Sequence, residues 1–293
     1  MFPRSPRTLR RPDGRGAGAS SSSGATPRVA LTVAGSDSAG GAGIQADLRT
    51  FAALGVHGAS AIAAVTAQST RAVAGVDLVP VDFVVRQIES VTDDLDVAAV
   101  KTGFLGEVGL VAALARLVDE GRLPAPVVDP VLVTSTGARM FDPALEAAYL
   151  EHLLPRTRVA TPNRVEAGLL LGRPVNTVDD MATAAADLLD IGPEVVVVKG
   201  GDAADEGDRA VDVVASGTGV ERLELPLVDT DNDHGSGCSF AAATAAGLAL
   251  GHDPLDAVRA AKQFVHEALE GAAGWRLGAG HGPIDHFGWT SRR

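Results

Sequence analysis

The stretch Asp233 to Phe240 joins a sulfur to two glycines and a hydroxyl: Gly235, Ser236, Gly237, Cys238. A polar turn, Asp229 to Asp233, precedes it, and an Ala-rich run, Phe240 to Leu250, follows and reads as a buried helix. The motif therefore sits where a loop becomes a helix N-terminus. Small side chains there leave backbone N–H groups uncovered, and the helix dipole favours negative charge at that end. A phosphoryl group fits such a place. Cys238 falls in the first turn, where a thiol pKa is expected below its free value of about 8.5. The same residues also read as a glycine turn entering a packed helix, with Cys238 one more small core residue.

Other residues able to do chemistry stand at the ends of apolar runs. Gln68 follows the run Ala59 to Val65 and offers a donor and an acceptor, as a pyrimidine or amide edge requires. Asp129 ends Pro126 to Asp129, a position suited to a metal, a substrate or a turn cap. Asn163 and Glu166 lie three apart after Thr157 to Thr161, with Pro162 suited to the first helical position. They could hold phosphate and a magnesium water shell, or simply cap the helix. Lys199 ends Val195 to Val198, the most β-branched run in the chain.

The elements that must position these residues follow from periodicity. Arg28 to Ala34 reads as a buried strand, then comes a glycine-rich loop, Gly35 to Gly43, then a helix over Ile44 to Leu54. The loop lacks the Gly-Lys-Ser/Thr of a P-loop, and no acid closes the next strand as a dinucleotide fold requires. It can instead let a flat ligand approach the backbone, with Asp47 one helical turn in to hydrogen-bond it. Val81 to Val91 and Val108 to Val118 have helical spacing. Ala210 to Ala215 and Arg222 to Val228 read as a hairpin, and Leu255 to Leu269 as the last helix. Strands alternate with helices, so residues 28–293 are read as one α/β domain with a mostly parallel sheet covered on both faces.

Composition bounds the function. The chain has 293 residues, 46% of them hydrophobic, and a formal net charge of −12, which argues against a nucleic-acid partner. A single cysteine excludes an internal disulfide framework and a cysteine zinc site, and a reducing, cytoplasmic setting is the default. No apolar run reaches the roughly 18 residues of a membrane span. Residues 1–27 are rich in arginine and serine and nearly free of acid. They are expected to be a disordered tail, although an organelle transit peptide has a similar composition.

Taken in order, these residues resemble the hydroxymethylpyrimidine/phosphomethylpyrimidine kinases of thiamine biosynthesis, within the ribokinase-like superfamily. The carrying elements are Ala34-Gly35-Ser36-Asp37 with Gly40 to Leu48, Ala67-Gln68-Ser69-Thr70, Asp129-Pro130-Val131, Thr161-Pro162-Asn163 with Glu166, Val198-Lys199-Gly200-Gly201, and His234 to Cys238. The resemblance implies a ribokinase-like three-layer sandwich and an ATP-dependent kinase of a pyrimidine alcohol and its monophosphate. It implies a substrate pocket from Gly35, Asp47, Gln68, Phe104 and Val131. Asn163, Glu166 and Lys199 would serve ATP, Glu166 and Asp129 would serve Mg2+, and Gly235, Ser236, Gly237 and Cys238 would form the anion hole with Cys238 as base. Relatives suggest a homodimer. Ser236 stands where threonine is usual and Phe104 where methionine is common. Asp231 and Asp233 flank the motif, two acids that repel a phosphate. A pyridoxal kinase of the same superfamily and a non-catalytic nucleotide-binding regulator are the alternatives.

Overall fold

Val29–Ser36 (β1) is buried on both of its sides through its middle, as a strand covered on two faces must be. In the computed structural model, which describes residues 26–133, 143–201 and 207–290, β1 lies inside a large sheet. It pairs in parallel with His57–Gln68 (β2) and with Val97–Thr102 (β4). Val73–Leu78 (β3) pairs antiparallel with β2. Beyond β4 come Val127–Val128 (β5), Val159–Ala160 (β6) and Val195–Lys199 (β7), all parallel. Arg209–Ser216 (β8) and Gly219–Pro226 (β9) close the other edge as the expected antiparallel hairpin. The order is β3-β2-β1-β4-β5-β6-β7-β8-β9. The tail, residues 1–27, lies outside the described residues except for its last two.

The helices are Gly43–Ala53 (α1), Val81–Thr92 (α2), Val108–Asp119 (α3), Pro143–Ala148 (α4), Arg164–Leu171 (α5), Val178–Leu189 (α6), Ser236–Ala249 (α7) and Pro254–Ala272 (α8). They divide between the faces. Val84, Ile88, Leu114, Leu145, Ala167 and Met181 bring α2 to α6 onto one face, against Leu31, Val33 and Val198. Phe51, Phe240, Ala242 and Val258 bring α1, α7 and α8 onto the other, against Ala30, Val127 and Val197. This is the expected three-layer sandwich. With few aromatics, close approach replaces bulk: a β-carbon on Gly247 of α7 would lie 2.8 Å from that of Ala257 in α8.

Two local readings change and one holds. β3 was not foreseen, because all six of its residues are exposed and leave no burial pattern to read. The motif helix starts at Ser236, with Gly235 turning the chain at φ +85° as its N-cap, so Cys238 lies in the first turn as expected. Pro162 is not the first helical residue. Asn163 caps α5 instead, in a reciprocal box: its side chain accepts the Glu166 N–H, and the Glu166 carboxylate accepts the Asn163 N–H.

One buried ion pair ties α1 to the sheet. Lys101 Nζ of β4 lies 3.0 and 2.9 Å from the two carboxylate oxygens of Asp47. Thr32 of β1 donates to the same carboxylate at 2.6 Å. The Asp47 and Lys101 side chains are fully buried. Removing one partner strands a charge in the interior. Asp47→Ala is expected to lower stability by about 3–5 kcal/mol in denaturant unfolding. The apolar pair Asp47→Leu with Lys101→Met is expected to recover most of that, and a loss under about 1 kcal/mol in the single variant would contradict the assignment.

Candidate active site

In an open α/β sheet, ligands bind beyond the carboxyl ends of the parallel strands. Here those ends carry Ser36 of β1, Gln68 of β2, Thr102 of β4, Asp129 after β5, Asn163 after β6 and Lys199 of β7. The N-terminus of α7 is brought to the same edge by the glycine loop after β1. A β-carbon on Gly235 would fall 1.9 Å from the carbonyl oxygen of Gly41, so the two loops touch backbone to backbone. The sequence-predicted residues of the anion hole and of the glycine loop are therefore adjacent in space.

The glycine loop is built around Asp37, a motif residue to which the sequence alone assigns no role. Its carboxylate accepts the N–H groups of Ala39, Gly41 and Ala42 at 2.8–2.9 Å. His234 Nε2 lies 3.0 Å from it as well. Burial would raise the Asp37 pKa, but the bonds from His234, Ala42 and Ala39 hold it down at about 2. An acid whose side chain folds back on a following turn is a local signal that could have marked it. Phe104 packs beside the strand end: its ring lies 3.0 Å from where a β-carbon on Gly35 would be.

The helix end expected to form an anion hole offers fewer free donors than its residues suggested. The Ser236 N–H donates to the carbonyl of Asp233 at 3.0 Å. The N–H groups of Gly237 and Cys238 meet no acceptor among the described residues, and they are the free donors at this helix end. Lys199 Nζ lies 3.1 Å from the position of a β-carbon on Gly237, so a cation stands beside those donors. The acids that flank the motif are partly neutralised. Asp233 pairs with His281 Nδ1 at 2.7 Å, and the bond raises the His281 pKa above its ordinary value.

A second cluster lies across the edge. Asp129 is buried and bonded to Lys199 Nζ at 2.7 Å and Thr161 Oγ1 at 3.3 Å. Glu166 is buried too, and burial together with the Asp129 charge raises its pKa to about 7 against the pull of Lys199. Leu132 and Asn163 give it backbone N–H bonds. Tyr149, fully buried, has a hydroxyl with no partner among the described residues. Burial and then Asp129 and Glu166 push its phenol above its ordinary range, so it lies near the same two acids. Val131 is half-buried next to this cluster, its N–H donating to the carbonyl of Asp129 at 2.9 Å.

Two expectations change here. Asp47 was expected to hydrogen-bond the ligand. Its oxygens are instead taken by Lys101 and Thr32 with no exposed surface, so in this structure the carboxylate is committed to an internal ion pair. Cys238 was expected to have a depressed pKa. It is partly exposed, and burial of its thiol, with Asp129 and Asp47 nearby, pushes the pKa up to about 11. Lys101 and the N–H of Gly43 act in the opposite direction without prevailing. The helix dipole was legible in the sequence; the desolvation and the two carboxylates were not.

Comparison with known proteins agrees with the geometry. The family model for phosphomethylpyrimidine kinase matches residues 37–285. The hydroxymethylpyrimidine/phosphomethylpyrimidine kinase of Streptomyces coelicolor is 47% identical over 265 residues, 90% of this chain and 96% of its own length. The pyridoxal kinase of Staphylococcus aureus, solved in complex with ADP, superposes with a TM-score of 0.83 at 35% identity, covering 90% of this chain and 95% of that one. The phosphomethylpyrimidine kinase of Clostridium difficile gives a TM-score of 0.72 at 33% identity, covering 83% and 99%.

Because Cys238 is the single cysteine, its titration is directly readable. The alkylation rate of the unliganded protein is expected to climb through pH 9 without a plateau, as a thiol pKa of about 11 requires. A plateau below about pH 8 would instead mark a depressed thiol.

Proposed function

The chain belongs to the phosphomethylpyrimidine kinase family, and on that premise we propose that it moves the γ-phosphoryl group of ATP to the hydroxymethyl oxygen of 4-amino-5-hydroxymethyl-2-methylpyrimidine, then a second to the monophosphate, in thiamine biosynthesis. One observation carries the reading. Free N–H donors at Gly237 and Cys238, the cation of Lys199, the acids Asp129 and Glu166, and the amide of Gln68 all sit on the carboxyl edge of one sheet.

Phosphoryl transfer asks a protein mainly for positioning and charge stabilisation. In this proposal Gln68 reads the edge of the ring, and Gly35, Phe104 and Val131 bound its faces. The donors of Gly237 and Cys238, with Lys199, hold the transferring group. Asn163 and Glu166 orient the nucleotide side. Cys238 stands against the attacking oxygen as its base. Its thiol is protonated at rest, so proton removal runs through a small thiolate fraction that grows with pH.

The donor set fits a magnesium ion held with the nucleotide. No group of three or more acidic, histidine or cysteine side chains that could hold a metal exists among the described residues. Magnesium commonly uses one or two carboxylates, waters and substrate phosphates. Asp129 and Glu166 are two buried acids beside one lysine, and the orphaned hydroxyl of Tyr149 lies near them. Such an ion would supply neutralising charge for the phosphates. Assembly as a homodimer belongs to the same proposal, supported by the exposed apolar side chains of Val65, Val73, Val76 and Leu78 along β2 and β3. No helix among the described residues is long and apolar enough to cross a membrane.

Likeness to pyridoxal kinases keeps a second alcohol in view. Incubation with magnesium-ATP and the pyrimidine alcohol is expected to yield the monophosphate and then the diphosphate in mass spectra, with kcat/KM above that for pyridoxal. Absence of either product would overturn the reading, and a higher kcat/KM for pyridoxal would reassign the substrate. Glu166→Gln keeps an acceptor for the Asn163 N–H while removing the buried charge. It is expected to raise the magnesium requirement by about 10–100-fold with thermal stability retained. A drop in Tm with the magnesium dependence unmoved would leave Glu166 as a cap alone.

A further inference from the structure

His234 is a residue the mechanism above does not use, and its ring faces two partners through one atom. Nε2 lies 3.0 Å from Asp37 Oδ2 and 3.1 Å from the terminal amide of Gln68, at its Nε2 position. Asp37 is ionised, and an ionised carboxylate only accepts. The ring nitrogen beside it must carry a proton. A protonated Nε2 has no lone pair left for an amide N–H. The Gln68 atom facing it is then the carbonyl oxygen, since amide oxygen and nitrogen are interchangeable in shape and the network decides between them.

The other end of the amide agrees. Thr66 Oγ1 donates to the carbonyl of Ser36 at 2.8 Å and lies 3.4 Å from the far end of the Gln68 amide. Its hydrogen is committed, so it can only accept. With Nε2 of Gln68 turned toward Thr66 and Oε1 toward His234, the ring N–H is shared between two acceptors, Asp37 and Oε1, and one amide N–H meets Thr66 Oγ1. In the reverse orientation both ends fail.

The arrangement is held from all sides. Three backbone N–H groups fix the Asp37 carboxylate. The ring packs so closely on Gly41 that a β-carbon there would come within 2.5 Å of His234 Cδ2. Ser38 Oγ binds both the N–H and the carbonyl of Gln68, at 2.8 and 2.7 Å.

We propose that His234 is a positioning residue that sets the hydrogen-bonding register of Gln68, so that the pocket offers an acceptor on the His234 side and a donor on the Thr66 side. This rests on the reading of Gln68 as the group that meets the pyrimidine. An amino group beside a ring nitrogen is the complement of that pair. In this register the substrate amino group lies toward His234, and the hydroxymethyl arm on the neighbouring ring carbon turns toward Gly235 and the anion hole. The reverse register would turn the arm away. One histidine thus links the loop that reads the ring to the loop that holds the phosphoryl group.

The test uses His234→Phe, which keeps a ring and loses the donor, and His234→Gln, which keeps a donor near the Nε2 position. Substrates are the 4-amino alcohol and its 4-oxo analogue. The unaltered protein is expected to prefer the amino compound by about 10²-fold or more in kcat/KM. His234→Phe is expected to cut that preference about tenfold, through KM for the alcohol and not KM for ATP, and His234→Gln to restore most of it. Equal loss for both alcohols, or a fall in kcat with the preference intact, would overturn the proposal. A second readout needs no turnover: nitrogen-15 NMR of the histidine rings in the unliganded protein, with the His234→Gln spectrum as the assignment. A proton on His234 Nε2 at pH 7 is expected, and a bare Nε2 overturns the network. If neither alcohol is phosphorylated, the kinase reading is what fails, and the ring proton alone decides the network.

Discussion

Two backbones in contact govern the site. Gly235 and Gly41 come so close that no side chain fits between them, and this brings the N-terminus of α7 against the glycine loop of β1. The free donors of Gly237 and Cys238 are useful only because that contact places them beside residues from distant parts of the chain. Asp37 and His234 reinforce the joint with an ionised hydrogen bond, which is stronger than a neutral one in a partly buried setting. The alanine-rich α7 makes the rest possible. With small side chains over most of its surface, it packs across the central strands β1, β4 and β5 and lies close to α8.

Charge is arranged in layers beneath that joint. Asp47 with Lys101 and Asp129 with Lys199 are two acid–lysine pairs, and Cys238 lies within reach of the field of both. The first pair is wholly buried and structural. The second leaves Lys199 partly exposed and facing the helix end. Glu166 is the unbalanced member: it caps α5 and also crowds Asp129, so its pKa rises. In the proposed role a cation beside this carboxylate would relieve the repulsion between it and Asp129. Asp129 and Asp47 act on Cys238, where desolvation and these negative neighbours outweigh Lys101 and the N–H of Gly43.

Much of this was legible in the order of residues. Continuous apolar runs mark most of the parallel strands and a period of 3.6 several of the helices, and glycine and proline punctuate them. The motif around Cys238, the acid after β5 and the Asn163/Glu166 box each carry a local chemical meaning, because loops at strand ends and helix starts are defined by neighbours in sequence. β3 escaped notice because an exposed edge strand has no buried side to impose a pattern.

What tertiary structure decided is which local feature faces which. Asp47 looked like a ligand on a helix; only the fold shows Lys101, far along the chain, claiming it. Asp37 and His234 are nearly two hundred residues apart, and no periodicity relates them. Cys238 has a low pKa by local rules and a high one by burial, since desolvation depends on what surrounds a thiol in space. By itself, the amino-acid sequence determined most of the elements, the layers and the family, because those rest on short-range pattern. The roles of Asp47, His234 and Cys238 depend on long-range contact and local dielectric, and those exist only once the chain is folded.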